Sequence, residues 1–288
     1  MRESLDKARV LIEALPYIKQ FRESTIVVKI GGAALDDLSL RERFVEDIVL
    51  LSWVGLRVVV VHGGGVQVSA HLERLGIDAT FVGGLRVTDA ASLEVVEMVL
   101  GGSLNKELVR LVQRLGGRAV GITGKDGGLV RARKLEGGPD LGLVGEVAHV
   151  DRRVLDRLLP DFIPIVAPLA SDGHGQTYNV NADPFAAALA MELGAEKLVL
   201  LTDVPGVADK EDRLIPSLSP DEAQQLIDAG VISGGMIPKV QNALAALEGG
   251  VSKVHIIDGR QEHALLLEIF TRAGVGTQFV AAPRQEGI

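Results

Sequence analysis

Apolar runs of about five residues recur along the chain, and the first two stop at consecutive glycines. Ile26-Val27-Val28-Lys29-Ile30 ends at Gly31-Gly32, and Val58-Val59-Val60-Val61-His62 ends at Gly63-Gly64-Gly65. Short β-branched runs closed by turn residues read as strands buried on both faces, as in a parallel sheet covered by helices. The pattern predicts strands over residues 25–30, 57–61, 118–122, 163–168, 197–202, 253–257 and 276–280. Helical spacing of apolar residues predicts helices over 4–22, 40–54, 66–75, 90–100, 104–115, 184–193, 220–229, 238–247 and 262–271, with Pro16 kinking the first and Thr88 capping the fourth. Two alternating runs between 129 and 150 flank Gly137-Gly138-Pro139-Asp140 and predict a hairpin.

Strand and helix in alternation imply an α/β fold, an open and mainly parallel sheet sandwiched between helices, arranged as two lobes. Ligands of such sheets sit beyond the carboxyl ends of the strands, where the glycine turns fall. The polar loop 170–175 is the softest point between the halves. The helix ahead of the first strand is not needed to close a βαβ unit, which frees it to dock on another subunit.

Composition narrows the chemistry. With 47% hydrophobic and 3% aromatic residues the core must be aliphatic, and a net charge of −8 argues against duplex nucleic acid as a partner. The absence of cysteine excludes disulfides, thiolate metal sites and a cysteine nucleophile. No secretory signal and no apolar stretch near the roughly 18 residues of a membrane span is evident, so a cytoplasmic protein without a membrane partner is expected. The six histidines lack compact ligand spacing, no metal site is indicated, and no G-x-S-x-G is present.

A strand that stops at glycines lets backbone N–H groups approach an anion closely, because no Cβ intervenes. Gly31, Gly32, Gly64 and Gly65 therefore predict two anion nests. Lys29 stands directly before the first. Lys239 follows Ser233-Gly234-Gly235-Met236-Ile237-Pro238, glycines leading into a helix start. Two lysines from opposite halves would clamp a phosphoryl group, whose transfer depends on positioning and charge neutralisation. Asp183, read first as the cap of a helix begun by Pro184, falls at period-2 spacing with Asn179 and Asn181, so that an extended segment would turn all three to one side and let the carboxylate orient both lysines. Arg86, in Gly83-Gly84-Leu85-Arg86-Val87-Thr88, is suited to binding a carboxylate through two parallel bonds.

Taken in order, Lys29-x-Gly31-Gly32, His62-Gly63-Gly64-Gly65, Gly84-Leu85-Arg86-Val87-Thr88, Asn179-x-Asn181-Ala182-Asp183, Thr202-Asp203-Val204-x-Gly206 and Gly234-Gly235-Met236-x-Pro238-Lys239 resemble the amino acid kinase family over nearly the whole chain. The resemblance is strongest to members that phosphorylate the side-chain carboxylate of N-acetyl-L-glutamate with ATP, on the route to arginine. It implies that Lys29 and Lys239 stabilise the transferring phosphoryl group and that Asp183 organises them. It implies that Gly31, Gly32, Gly64 and Gly65 bind phosphate or developing charge, with Gly64, Gly65, Arg86 and Asn179 holding the substrate. Asp203, Val204, Ser233, Gly234, Gly235 and Met236 would contact ATP, with Mg²⁺ carried mainly by phosphates and water. Residues 1–22 would be an oligomerisation helix and 23–288 the kinase domain, split near 175 into a substrate lobe and a nucleotide lobe.

The resemblance extends to an arginine-inhibited branch that assembles dimers into hexamers, with Tyr17, Lys197, His255, Glu268 and Gly274 at its L-arginine site; a PII-type signalling partner is left open. Ala33 and Val66 depart from the Ser and Pro frequent in the family, changes that leave the backbone donors in place. Rival readings are a kinase of the same fold acting on aspartate, glutamate, carbamate or a nucleoside monophosphate, a non-catalytic nucleotide or amino acid sensor, and a dinucleotide oxidoreductase. The sensor has no use for Lys29, Asp183 and Lys239 together, and the oxidoreductase lacks its G-x-G-x-x-G.

Overall fold

The computed structural model describes residues 2–271 and 274–280, with side chains from residue 12 onward. One eight-stranded sheet runs in the order Ser217–Leu218, Thr277–Val280, Lys253–Asp258, Lys197–Thr202, Thr25–Ile30, Arg57–His62, Ile163–Ala167, Ala119–Thr123. Its neighbours pair in parallel except where Thr277–Val280 meets Lys253–Asp258. The expected αβα sandwich is the observed one.

The first strand lies at the centre, with Lys29 in register with Val61 on one side and Leu200 on the other. Its residues alternate between two apolar layers. Ile26, Val28 and Ile30 pack with Phe44, Val45 and Ile48 of the helix Leu38–Trp53, whereas Val27 packs with Phe185 and Leu189 of the helix Ala182–Leu193. Lys29 shares the parity of Val27. Its side chain is thereby sent toward the first turn of Ala182–Leu193.

The predicted hairpin is present as Val130–Lys134 against Val144–Val150. It does not stand alone: with Leu169–Ser171 and Thr177–Val180 it closes a four-stranded barrel, and residues 170–175 belong to the barrel's second hairpin. This small barrel was not anticipated, because its last strands are three and four residues long and carry little pattern.

Three local expectations are corrected. Asp89, not Thr88, caps the helix Ala90–Val96, accepting Ser92 N–H at 2.7 Å, while the buried Thr88 hydroxyl donates to Arg86 O. That helix does not stop at Gly101-Gly102: a π-helical stretch Glu97–Leu104 carries it into Asn105–Arg114. A widened turn absorbs the residue count that glycine suggested was a break. Asp183 is not the cap of Ala182–Leu193 either. Asn181 accepts Asp183 N–H at 2.9 Å in that role, and Asp183, already helical, is free to point its carboxylate elsewhere. The period-2 alignment of Asn179, Asn181 and Asp183 therefore does not hold.

The first helix runs Arg2–Phe21 with Pro16 inside it; the side chains of its first turns lie outside the described residues. Among the described residues no helix is long and apolar enough to cross a membrane.

Candidate active site

Lys29 Nζ lies 2.8 Å from Asp183 Oδ1, and Lys239 Nζ donates to Asp183 Oδ2 at 3.0 Å. One carboxylate thus joins a strand end of the first half to a helix of the second. Burial alone would push the Asp183 carboxyl up, but the ammonium groups of Lys29 and Lys239 outweigh it and hold the group below the usual carboxylate range. Lys239 sits in the first turns of Met236–Glu248, where Pro238 is the third helical residue and needs no N–H partner.

Both glycine turns have steric reasons to lack a side chain. A Cβ on Gly31 would fall 2.9 Å from Lys29 Nζ. Gly64 has φ +150°, and a Cβ there would lie 2.6 Å from Leu100 and Leu104. Gly32, at φ +58°, abuts the Asp203 carboxylate, whose Oδ1 accepts Ala33 N–H at 2.8 Å. Asp203 therefore reaches the first glycine turn, a contact that its position after a distant strand did not announce. Val204, Ser233, Gly234 and Gly235 are exposed on the same half as Lys239, and Met236 begins its helix.

Beside the triad is a cavity of about 220 Å³ lined by Gly63, Gly64, Gly65, Arg86, Asn179 and Ala182, with Phe81, Val68 and Leu100 among its apolar walls. Arg86 is buried, with Nη2 donating to Gly65 O at 2.8 Å and Ser69 Oγ at 2.7 Å, and its guanidinium lies 4.6 Å from the Phe81 ring centre. Its Nη1 is buried without a protein acceptor and remains as the donor for an anion, whereas Nη2 is fully used by Gly65 O and Ser69 Oγ, so the two parallel bonds expected of Arg86 are not on offer. Asn179 donates to Thr88 Oγ1 at 3.2 Å. Behind the second turn His62 is fully buried and neutral, its pKa pushed down to about 4 by burial; Nδ1 bonds Gly63 O at 2.8 Å and Nε2 accepts from Asn105. Sequence reasoning missed Asn105, which lies inside the π-to-α junction.

The family model for amino acid kinases matches residues 24–258. The chain belongs to the amino acid kinase family. Within it, the chain is 56% identical over 282 residues to the acetylglutamate kinase of Halorhodospira halophila, covering 94% of both chains. It is 55% identical over 284 residues to that of Acinetobacter baumannii, covering 95% of this chain and 94% of the relative. Among solved structures it resembles an N-acetylglutamate synthase from Neisseria gonorrhoeae complexed with coenzyme A and N-acetyl-glutamate, with TM-score 0.86 and 31% identity over 96% of this chain and 64% of that one. Carbamate kinase from Giardia lamblia, at 14% identity and TM-score 0.66, shares the fold.

A second cavity of about 400 Å³ brings together Tyr17, Lys197, His255, Glu268 and Gly274 at the far end of the same amino acid kinase sheet. Lys197 Nζ lies 3.2 Å from His255 Nε2, and His255 Nδ1 lies 2.6 Å from Glu268 Oε1. Glu268 Oε2 also accepts Val275 N–H at 2.7 Å. Burial lowers Lys197 to about 8, and it lowers His255 as well. For Glu268 burial acts upward, but the His255 hydrogen bond and charge outweigh it and hold the carboxyl down.

Proposed function

We propose that this protein transfers the γ-phosphoryl group of ATP to the side-chain carboxylate of N-acetyl-L-glutamate, giving N-acetyl-L-glutamyl 5-phosphate and ADP in arginine biosynthesis. The observation that carries the reading is the ion-paired Lys29–Asp183–Lys239 set beside a cavity with an unpaired guanidinium nitrogen. Arg86 and Asn179 would hold the acetylated amino acid, with Gly64 and Gly65 beside its reacting end. Gly31 and Gly32 would offer backbone donors to the phosphoryl oxygens, and Lys29 and Lys239 would carry the charge that develops there. Asp183, ionised, keeps the two ammonium groups at a fixed spacing. The acceptor carboxylate is itself the nucleophile, so the chain needs no general base.

ATP would lie along Asp203, Val204, Ser233, Gly234, Gly235 and Met236; a Cβ at Gly234 or Gly235 would meet nothing, so backbone there is open to a ligand. The described residues offer no cluster of three or more acidic or histidine side chains for a metal. Mg²⁺ would therefore arrive on the phosphates and supply charge neutralisation, with water completing its shell. An ADP-release assay with N-acetylglutamate, glutamate and aspartate side by side tests the reading: turnover with the acetylated substrate alone is expected, and equal turnover with glutamate or none with any would overturn it.

The second cavity supports L-arginine as a feedback ligand, since a buried carboxylate backed by Gly274 and a buried lysine in one cavity suit a zwitterion with a cationic tail. One structural relative was solved with L-arginine. The first helix, with Ile12 and Leu15 exposed, suits docking on another copy, in the manner of dimers joined into a hexamer. Millimolar arginine should then depress turnover at limiting N-acetylglutamate, and indifference to arginine would remove this part of the reading. Residues 23–175 would be the amino acid lobe, 176–288 the nucleotide lobe, and the cytoplasm the site of action.

A further inference from the structure

We infer that Gln67 is a positioning residue for phosphoryl transfer, holding the two glycine turns at a fixed spacing through its hydrogen bond to Asp36. The inference rests on the kinase reading above. Each turn leads into a helix: Gly31-Gly32 into Ala33–Asp36, and Gly63-Gly64 into Gly65–Arg74. At the level of the strands the turns are joined by Gly63 N–H donating to Ile30 O at 2.8 Å. Beyond the strand ends the ladder pairing stops and each chain enters its own helix. There Gln67 Nε2 donates to Asp36 Oδ1 at 2.9 Å, the one side-chain hydrogen bond between those two helices among the described residues.

The surroundings make this bond the joint between two separately anchored pieces. The first turn is held by Asp203 through Ala33 N–H. The second is held by Leu100 and Leu104 against Gly64. Neither anchor spans the two helices that leave the turns, and the strand pairing ends at Ile30 and His62 with the Gly63–Ile30 bond. Gln67 spans those helices while its own Oε1 stays buried without a donor, close to the Cβ position of Gly64. A side chain that leaves its carbonyl unpaired to keep the amide bond is held in place by Asp36. Phosphoryl transfer depends on donors placed to within a fraction of an ångström, so a change in this spacing acts on turnover more than on binding.

The test is a polarity swap. Gln67→Glu sets a carboxylate against Asp36 and should lower kcat by about 10- to 100-fold, with KM for ATP and N-acetylglutamate changed little. Gln67→Met removes the bond without adding charge and should lower kcat in the same direction. Asp36→Asn keeps an accepting Oδ1 and should retain most of the turnover. The double variant Gln67→Glu/Asp36→Asn restores a donor and an acceptor in reverse order and should recover kcat. Unchanged kcat in both Gln67 single variants, or a double variant that melts like the wild type without recovering kcat, would overturn the inference. Wild type measured alongside separates the two claims: no turnover there defeats the kinase reading, whereas normal turnover with indifferent Gln67 variants defeats this one.

Discussion

Lys239 donates to one oxygen of Asp183 at 3.0 Å, while the other oxygen of that carboxylate lies 2.8 Å from Lys29. An acid with two cations of its own keeps them apart and aimed, which is what a migrating phosphoryl group between them requires. Lys29→Ala and Lys239→Ala should each lower kcat by about 10² to 10³ with smaller changes in KM. Asp183→Asn, which leaves the buried Lys29 and the half-buried Lys239 without their shared anion, should lower kcat as well and shift melting downward. Steady-state kinetics and a thermal melt on each variant check this.

Arg86 presents a planar fork already fixed by Gly65 O and Ser69 Oγ. A lysine, with one nitrogen, cannot keep both bonds and still present a separate donor nitrogen, as Nη1 does, to an anion. Arg86→Lys should therefore raise KM for N-acetylglutamate by about tenfold or more while leaving KM for ATP near its wild-type value. Initial rates with each substrate varied in turn distinguish the two.

Gly64 combines a positive φ with two leucine methyl groups where a Cβ would go. Gly64→Ala should cost about 1–3 kcal/mol of stability from backbone strain alone, and more where Leu100 and Leu104 fail to retreat. Gly65→Ala, whose Cβ would meet nothing, is the control and should fold normally. Urea denaturation of the pair reads the difference.

The buried His62, with its pKa near 4 in the fold, stays neutral where the unfolded chain would take up a proton near pH 6.5. Its contribution to stability is complete above pH 6.5 and is lost as pH falls from 6.5 through 4. The full loss is on the order of 3 kcal/mol. His62→Gln, which does not titrate, should flatten the dependence of the unfolding free energy on pH across that window.

The sheet was largely legible in the residues because a valine run that stops at glycine reads as a strand buried on both faces, and the proposed site draws on the same glycines as anion donors. Lys29 stood out beside the first of those turns, and Lys239 beside a separate glycine pair, Gly234-Gly235, that leads into a helix. What the chain concealed has physical causes. Asn181 and Asp183 are both good caps, and local rules cannot say which one the helix uses when the other is drawn off by two lysines. Gly101 and Gly102 look like a break, yet helix packing holds them in a π-turn beside Leu104 and Val99. Asp203, Asn105 and Gln67 act through partners far along the chain, and pairings of that kind have no signature in spacing.

The most direct measurement is a crystal structure of the protein with ADP, Mg²⁺, tetrafluoroaluminate and N-acetylglutamate. The account predicts the planar fluoroaluminate in line between the ADP β-phosphate and the acceptor carboxylate, with the Nζ atoms of Lys29 and Lys239 both within hydrogen-bond distance of its fluorines and Asp183 still between them. Either lysine turned away from the fluoroaluminate would contradict it.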